Sequence, residues 1–318
     1  MYYYLCLARA VDERMWALQR SGKAAFVISG QGHEGAQVGV VYALDRERDW
    51  LVPFYRSVAA VLMKGMPPAE LFLIQLGRDT DPSSGGRQMP GHYGHSRHKI
   101  LSTSSPVATQ LLHAAGIAYA AKVRGTGEVC LTECGEGATS EGDFHEALNF
   151  AGVHRLPVVF VVENNGYAIS VPVSQQMAVA NVSSRAAGYG MPGVTVDGSH
   201  VLQVYGAAWE AVARARSGGG PTLLEVTVPR LTPHSSDDRQ EKYRPAEELA
   251  HLWERDPVRV FTAELRERGV LTHGREQEIR ARIEHEVDAG TEIAEAAPLP
   301  DPASAVRYVY AEPPDAGR

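Results

Sequence analysis

Apolar runs alternate with helix-like stretches through the middle of the chain. Residues 128–132 and the segment PVVFVVENN at 157–165 are short and apolar, which is typical of buried strands. The helical pattern at 144–153 separates them, and predicted strands at 193–196 and 222–228 follow later in the chain. This alternation predicts an α/β fold with a mostly parallel sheet flanked by helices on both faces.

Further helices are indicated by their start and stop signals. Ser105 followed by Pro106 predicts a helix over 106–124, which Gly125 ends. Between the last two predicted strands, a helix near 201–216 is ended by the segment SGGG. The chain therefore continues its strand, helix, strand order after the first sheet elements.

Beyond Pro245 the composition becomes charged and helical. Asp256-Pro257 predicts the start of one helix, and the four-residue spacing of Ile279, Ile283 and Val287 gives a second helix an apolar stripe. We therefore divide the chain into an α/β domain over 1–245 and a helical C-terminal extension over 246–318 packed on it. Within the extension, residues 298–318 are predicted to run extended.

Two segments rich in Gly, Pro, Ser and His, 77–105 and 229–244, are predicted to be long loops. Loops of this length in a compact domain are usually functional or disordered. They are therefore where we expect candidate chemistry.

Composition excludes several classes of protein. The chain has 318 residues, 44% of them apolar, so it can bury a large core. Its 31 Lys and Arg are outnumbered by 38 Asp and Glu, and this negative net charge disfavours binding to nucleic acid. Arg9, Asp12 and Glu13 interrupt any early apolar stretch, so we expect a cytoplasmic protein without a membrane span. Cys130 and Cys134 fit ordinary buried thiols better than a zinc site.

The segment Gly135-Glu136-Gly137 follows one predicted strand, and Asn164-Asn165 ends the next. Carboxyl ends of neighbouring parallel strands form a ligand-binding edge, and a helix predicted to open at Ala138 would offer N–H groups to an anion. A diphosphate beside the Glu136 carboxylate would be repelled unless a cation lay between them. Mg²⁺ is suited to this position because it binds carboxylate, amide and phosphate oxygens. Tight turns at both strand ends are the plainer interpretation of each motif alone.

In combination these motifs resemble the α subunits of thiamine-diphosphate-dependent 2-oxo acid dehydrogenases of the branched-chain and pyruvate types. The similarity runs in family order over about residues 5–300. The matching blocks are GQGHEGAQVG at 30–39, PFYR at 53–56, GRQMPGHYG at 86–94, TSSPVATQ at 103–110, GEGATSEGD at 135–143, ENNGYAIS at 163–170 and PHSSDDRQEKYR at 233–244. The resemblance implies the thiamine-diphosphate-binding fold.

The resemblance also implies roles for individual residues. Magnesium ligands are expected at Glu136, Asn165 and the Tyr167 carbonyl, and catalytic histidines at His234 and His92. The expected cofactor-binding residues are Tyr55, Arg56, Ser105, Val107, Gly135, Glu136, Gly137, Ala138, Asn165, Tyr167 and His234. The residues that match a family potassium site are Ser104, Pro106, Thr109 and Gln110. Arg230 is a weaker candidate that an ion pair would explain equally well, and Ser235 matches a serine that is phosphorylated in mammalian relatives.

Membership of this family would imply decarboxylation of a 2-oxo acid and transfer of its acyl group to the lipoyl domain of an acyltransferase. It would also imply a β subunit that completes the site in an α2β2 tetramer. Glu136 rather than aspartate in the metal turn favours branched-chain substrates over pyruvate or acetoin. A non-catalytic scaffold subunit and an unrelated nucleotide-binding enzyme are the alternatives; the chain lacks GxxxxGK[ST] and GxGxxG motifs, which disfavours the latter.

Overall fold

The structure, a computed structural model, describes residues 1–307 and 309–310, and is built on a five-stranded parallel sheet. The strands of this sheet are β1 (Trp50–Val52), β2 (Cys130–Gly135), β3 (Val158–Asn164), β6 (Gly193–Asp197) and β7 (Thr222–Thr227), in the order β1-β2-β3-β7-β6. A separate antiparallel hairpin pairs β4 (Tyr167–Ala168) with β5 (Val171–Pro172). The predicted parallel sheet is confirmed.

Helices cover both faces of the sheet. They are α1 (Tyr2–Arg20), α2 (Glu34–Tyr42), α3 (Val58–Lys64), α4 (Pro68–Gln75), α5 (Thr109–Arg124), α6 (Gly142–His154), α7 (Val201–Arg216), α8 (Ala246–His251), α9 (Pro257–Glu267) and α10 (His273–Ala296). Because side chains alternate along a strand, Val159 and Val161 of β3 pack with α1–α4 and α7, whereas Phe160 and Val162 pack with α5 and α6. The core therefore has two layers with the sheet between them.

The C-terminal helices pack on this core as predicted. Asp256 begins α9 by accepting the Val258 N–H at 3.0 Å, and Ile283 and Val287 bury the apolar stripe of α10. Helix α10 lies so close to α4 that a Cβ at Gly290 would be 2.9 Å from the nitrogen of Ala69. The division of the chain at residue 245 stays a prediction.

Two helix starts were predicted wrongly. Helix α5 begins at Thr109 rather than at Pro106, because Ala108 has a φ of +72° and interrupts the helical backbone. After the Gly135 turn, Glu136–Ser140 forms a 3-10 helix and α6 begins only at Gly142. The Thr139 hydroxyl donates to the Glu136 carbonyl at 2.7 Å, which stabilises this tighter turn.

The two predicted loops contain short 3-10 helices, at Ser96–His98 and Gln240–Lys242, and isolated β-bridges that join Ile100 to His95 and to Leu51. In the predicted extended tail, Pro302–Val306 forms another short 3-10 helix, while residues 308 and 311–318 lie outside the described residues. No helix within the part of the chain that the structure describes has the length and apolar character needed to cross a bilayer.

Candidate functional site

A cavity of about 470 Å³ lies where the segments after β1, β2 and β3 meet the two long loops. Nearly all of the predicted site residues line it. These are Tyr55, Arg56, His92, Ser104, Ser105, Val107, Gln110, Gly135, Glu136, Gly137, Ala138, Asn165, Tyr167 and His234. Pro106 and Thr109, two of the residues matched to a potassium site, are not among the lining residues.

Glu136 brings a buried carboxylate to this cavity, with 1% of the residue exposed. Its Oε2 accepts the Asn165 N–H at 3.2 Å, and its Oε1 lies 3.4 Å from Nε2 of Gln176. Asn165 Oδ1 in turn accepts the Tyr167 N–H at 3.2 Å, so the three predicted metal-binding residues are linked by hydrogen bonds. Among the described residues, no basic side chain forms an ion pair with Glu136, and this uncompensated carboxylate fits a divalent cation.

The two glycines of the turn differ in what surrounds them. A Cβ at Gly137 would lie 2.7 Å from Cβ of Ala168, so glycine is required there for the β4–β5 hairpin to approach the turn. At Gly135 no heavy atom of the described chain, apart from its chain neighbours, lies within 4 Å of such a Cβ. The space beside Gly135 is therefore open to a ligand that approaches the main chain.

Arg56 brings the opposite charge to the cavity and is 1% exposed. Its Nη1 donates to the Ser29 carbonyl at 2.7 Å, and its Nη2 donates to Nδ1 and to the carbonyl of His234 at 2.8 and 3.0 Å. Among the described residues, no carboxylate forms an ion pair with Arg56. A buried guanidinium with neutral partners favours an anionic ligand.

The contact with Arg56 also fixes the tautomer of His234. Because Nη2 of Arg56 donates to Nδ1, that nitrogen carries no proton, and the neutral imidazole carries its proton on Nε2. Burial and then the nearby Arg56 charge lower the pKa of His234 to about 4. The Asp238 carboxylate holds the segment by accepting the His234 N–H at 2.7 Å.

With the residues that the structure describes, Arg230 does not form the structural ion pair that we considered as its alternative role. It is fully buried, and donates to the Ile169 carbonyl at 3.0 Å and to the Tyr243 hydroxyl at 2.7 Å. The Tyr243 hydroxyl donates in turn to Asp238. The loop was singled out from the sequence, but the roles of Tyr243 and Asp238 in it were not, since they depend on contacts made only after folding.

His92 and Ser105 come from different parts of the long 77–105 loop and meet in the cavity. The Met89 carbonyl, 2.9 Å away, accepts the proton on Nδ1 of His92, so Nε2 is free to accept the Ser105 hydroxyl at 2.7 Å. The predicted site residue Ser105 therefore contacts a predicted catalytic histidine. Ser235, next to His234, is 7% exposed and its Oγ accepts the Asp237 N–H at 3.4 Å.

The residues matched to a potassium site cluster around the start of α5. The Ser104 hydroxyl donates to the Pro106 carbonyl at 3.2 Å, and Gln110 donates from Nε2 to the Glu133 carbonyl at 3.0 Å. The Oε1 atom of Gln110 is buried and lacks a hydrogen-bond partner among the described residues. Such an oxygen fits a cation that takes oxygen ligands.

In the described ranges, no group of three or more His, Cys, Asp or Glu side chains is arranged to hold a metal ion. Cys130 and Cys134 are buried free thiols on β2, as predicted, and burial raises the pKa of both.

The chain is similar to known proteins over almost its whole length. The family model described as the dehydrogenase E1 component matches residues 3–303. The 2-oxoisovalerate dehydrogenase subunit alpha of Bacillus subtilis is 51% identical over 312 residues, which cover 98% of this chain and 94% of that protein. The 3-methyl-2-oxobutanoate dehydrogenase subunit alpha of Mycobacterium tuberculosis is 40% identical over 285 residues, covering 90% and 75%. The pyruvate dehydrogenase E1 component subunit alpha of Staphylococcus aureus is 34% identical over 307 residues, covering 96% and 80%. The chain belongs to the dehydrogenase E1 component family.

Proposed function

We propose that the chain is the α subunit of a branched-chain 2-oxo acid dehydrogenase, which decarboxylates 3-methyl-2-oxobutanoate and related acids and passes the acyl group to a lipoyl domain. The family implies thiamine diphosphate as the cofactor. One observation carries the proposal: the cavity contains a buried carboxylate, Glu136, and a buried guanidinium, Arg56, neither of which forms an ion pair among the described residues. A magnesium diphosphate supplies the opposite charge to each of them.

In this proposal Glu136, Asn165 and the Tyr167 carbonyl hold Mg²⁺. When bound, thiamine diphosphate supplies the carbanion and the electron sink that decarboxylation of a 2-oxo acid requires. Arg56 and Tyr55 bind the diphosphate oxygens, with Gly135, Gly137 and Ala138 supplying main-chain contacts. A potassium ion held by Ser104, Pro106, Thr109 and Gln110 fixes the loop that carries Ser105 and Val107 beside the aminopyrimidine.

The two histidines handle protons and orient the substrate. His234 is neutral at pH 7 and presents an N–H on Nε2, which suits it to hold or transfer a proton during acyl transfer to the lipoyl group. His92 is held by Met89 and Ser105 in the same cavity. Hydrogen bonds within the chain therefore orient both histidines.

Relatives with branched-chain names are more similar to this chain, at 51% and 40% identity, than the pyruvate relative at 34%. Apolar side chains in the cavity also favour an apolar acyl group, and they are Phe26, Ile28, Phe54, Met89 and Ile169. The subunit-alpha names support a β partner, and we propose an α2β2 tetramer. A scaffold subunit without catalytic activity would have no need to retain Glu136 and Arg56. The cytoplasmic location stays a prediction.

The test is decarboxylation by this chain co-expressed with a β subunit, with magnesium, thiamine diphosphate and an artificial electron acceptor. We expect a higher kcat/KM for 3-methyl-2-oxobutanoate than for pyruvate. Preference for pyruvate would overturn the substrate assignment. A complex that binds no cofactor and decarboxylates neither acid would support the scaffold alternative.

A further inference from the structure

The segment Gly30–Gly39 has no part in the function proposed above, although it is one of the blocks that stand out in the sequence. It contains the turn that leads into α2 and the first six residues of that helix. Every residue of α2 from Glu34 to Val41 is buried. His33 and Gln37 are the polar residues spaced four apart here, so they lie on the same face of the helix. Both side chains contact Glu163, and Gln37 also contacts the main chain of Arg56, a residue that lines the cavity.

Gln37 uses both ends of its amide to join three parts of the chain. Its Nε2 donates to the Arg56 carbonyl at 2.9 Å and to Oε2 of Glu163 at 3.1 Å, and its Oε1 accepts the Ala59 N–H at 3.0 Å. His33 reaches the same Oε2 of Glu163 from one turn earlier, with Nδ1 at 2.5 Å. Gln37 is 1% exposed and His33 fully buried, so water does not compete for these contacts.

The two groups to which Gln37 donates belong to different segments that contribute to the site. Arg56 carries the buried guanidinium, while Glu163 is the second-last residue of β3 and lies two residues before Asn165. Glu163 is also the register partner of Gly135, the residue before Glu136. One side chain therefore connects the cationic side of the cavity to the strand ends that carry the predicted metal ligands.

Glycines allow α2 to lie deep enough for this contact. A Cβ at Gly35 would lie 2.1 Å from the Gly198 carbonyl oxygen, and one at Gly39 would lie 2.6 Å from Cγ1 of Val204. At Gly30 the same atom would lie 2.7 Å from the Arg56 carbonyl oxygen. These glycines therefore allow the close packing that brings the Gln37 amide to its hydrogen-bond partners.

We infer that Gln37, supported by His33, is a positioning residue that sets the distance between Arg56 and the Glu136–Asn165 end of the site. By setting this distance, it makes the cavity selective for a diphosphate over a monophosphate. The inference rests on the proposed function, because it assumes that a magnesium diphosphate spans these two sides. Gln37 touches neither ligand and acts through the main chain of Arg56 and the end of β3.

The test uses the α subunit in complex with its β subunit, stripped of cofactor, and measures binding of magnesium pyrophosphate and of magnesium phosphate by calorimetry. We expect the wild-type complex to prefer pyrophosphate, and Gln37→Met to lower that preference by at least about tenfold, as loss of a supporting contact does at other ligand sites. Gln37→Leu also lacks both donated hydrogen bonds and places no charge beside Glu163, so we expect the same loss. It also provides the measurement if Gln37→Met fails to fold.

Thr262→Val is the control, because Thr262 is a buried residue on α9 whose hydroxyl donates to the Val258 carbonyl, outside this network and away from the residues that line the cavity. It should lower the melting temperature and leave the pyrophosphate preference unchanged. A folded Gln37 variant that keeps the wild-type preference would overturn the inference. A wild-type complex that binds neither magnesium pyrophosphate nor thiamine diphosphate would instead overturn the proposed function.

Discussion

Single residues decide the electrostatics of the cavity. Glu136 and Arg56 are both buried, and their hydrogen-bond partners are neutral groups, so each charge lacks direct compensation within the described chain. Burying a lone charge costs several kcal/mol, and a ligand of opposite charge recovers part of that cost. Binding of a metal diphosphate should therefore depend strongly on each side chain.

Replacing Glu136 tests the metal assignment. We expect Glu136→Ala to weaken magnesium-dependent binding of thiamine diphosphate by on the order of a hundredfold or more while the fold is retained, because only one charged metal ligand is removed. Calorimetry on the complex with and without magnesium measures the loss. The exposed Glu241→Ala is the control, and tight metal-dependent binding by Glu136→Ala would show that the metal lies elsewhere.

His234 should make stability depend on pH. Its pKa in the folded protein is about 4, below the ordinary 6.5, so between these values the unfolded chain binds a proton that the folded chain excludes. As pH falls from 6.5 to 4 the wild type should therefore lose stability relative to His234→Gln. Since His234 is partly exposed, the slope should be well under the about 1.4 kcal/mol per pH unit of a fully buried group.

Melting temperatures of the cofactor-free complex between pH 7.5 and 4.5 measure this difference. The exposed His113→Gln should follow the wild-type profile. Parallel profiles for His234→Gln and wild type would mean that His234 is protonated as easily in the folded protein as in the unfolded chain.

Sequence reasoning found residues whose type and spacing are distinctive, such as Glu136 and Asn165. It missed Gln176, which contacts Glu136 from 40 residues away, and Gln37, which contacts Glu163 across 126 residues. A glutamine has no distinctive pattern of its own. Its role comes from the tertiary contacts of its amide, which no local pattern encodes.

Among the elements, the turn after β2 and the β4–β5 hairpin together form the side of the site that we propose to hold the metal. We expect Gly137→Ala to disturb both stability and ligand binding, since its Cβ would clash with Ala168, and such overpacking costs about 1–3 kcal/mol.

Gly135→Ala should leave stability unchanged or raise it by up to about 1 kcal/mol, because its φ of −82° suits any residue. It should still weaken diphosphate binding by about tenfold, or 1.4 kcal/mol, by filling the space beside the main chain.

Urea unfolding and calorimetry on the same variants separate the two effects. Gly142→Ala, at the start of α6 with open space around it, should leave binding unchanged. If Gly135→Ala binds thiamine diphosphate as tightly as wild type, the main chain at Gly135 does not approach the diphosphate.

Elements with strong periodicity were predicted closely, as for α7 over 201–216 and the stripe of α10. The start of α5 was missed because it depends on the left-handed backbone of Ala108, a residue that rarely adopts it. The α6 start moved because Glu136–Ser140 turns more tightly than an α-helix, with Thr139 closing the turn.

For the whole molecule, an ion-pair group ties the N-terminal helix to the C-terminal extension. Arg9 contacts Glu34 at 2.7 Å and Asp256 at 2.9 Å, and both carboxylates are almost fully buried. Arg9→Met should therefore lower the free energy of unfolding by about 3–5 kcal/mol, because two buried carboxylates lose their partner. Urea unfolding measures this free energy. Arg14→Met is the control, because Arg14 belongs to a more exposed ion pair, and we expect it to lower the free energy of unfolding by no more than about 1 kcal/mol. Equal losses for the two variants would contradict the role of burial.

The parallel sheet and its helical layers followed from the order of elements, but the strand order did not. β7 lies between β3 and β6 because α7 carries the chain from β6 back across one face. Local patterns show which segments are strands; which strands become neighbours depends on how the helical faces pack.

That strand order has a consequence for the chain as it leaves the ribosome. Until Thr222–Thr227 has emerged, β6 lacks its hydrogen-bonding neighbour and β3 has an open edge. His234 follows still later, so an N-terminal fragment ending near residue 220 would hold most of the expected cofactor-binding residues but lack both β7 and His234. We therefore expect the sheet to be completed only when the last third of the chain has been translated.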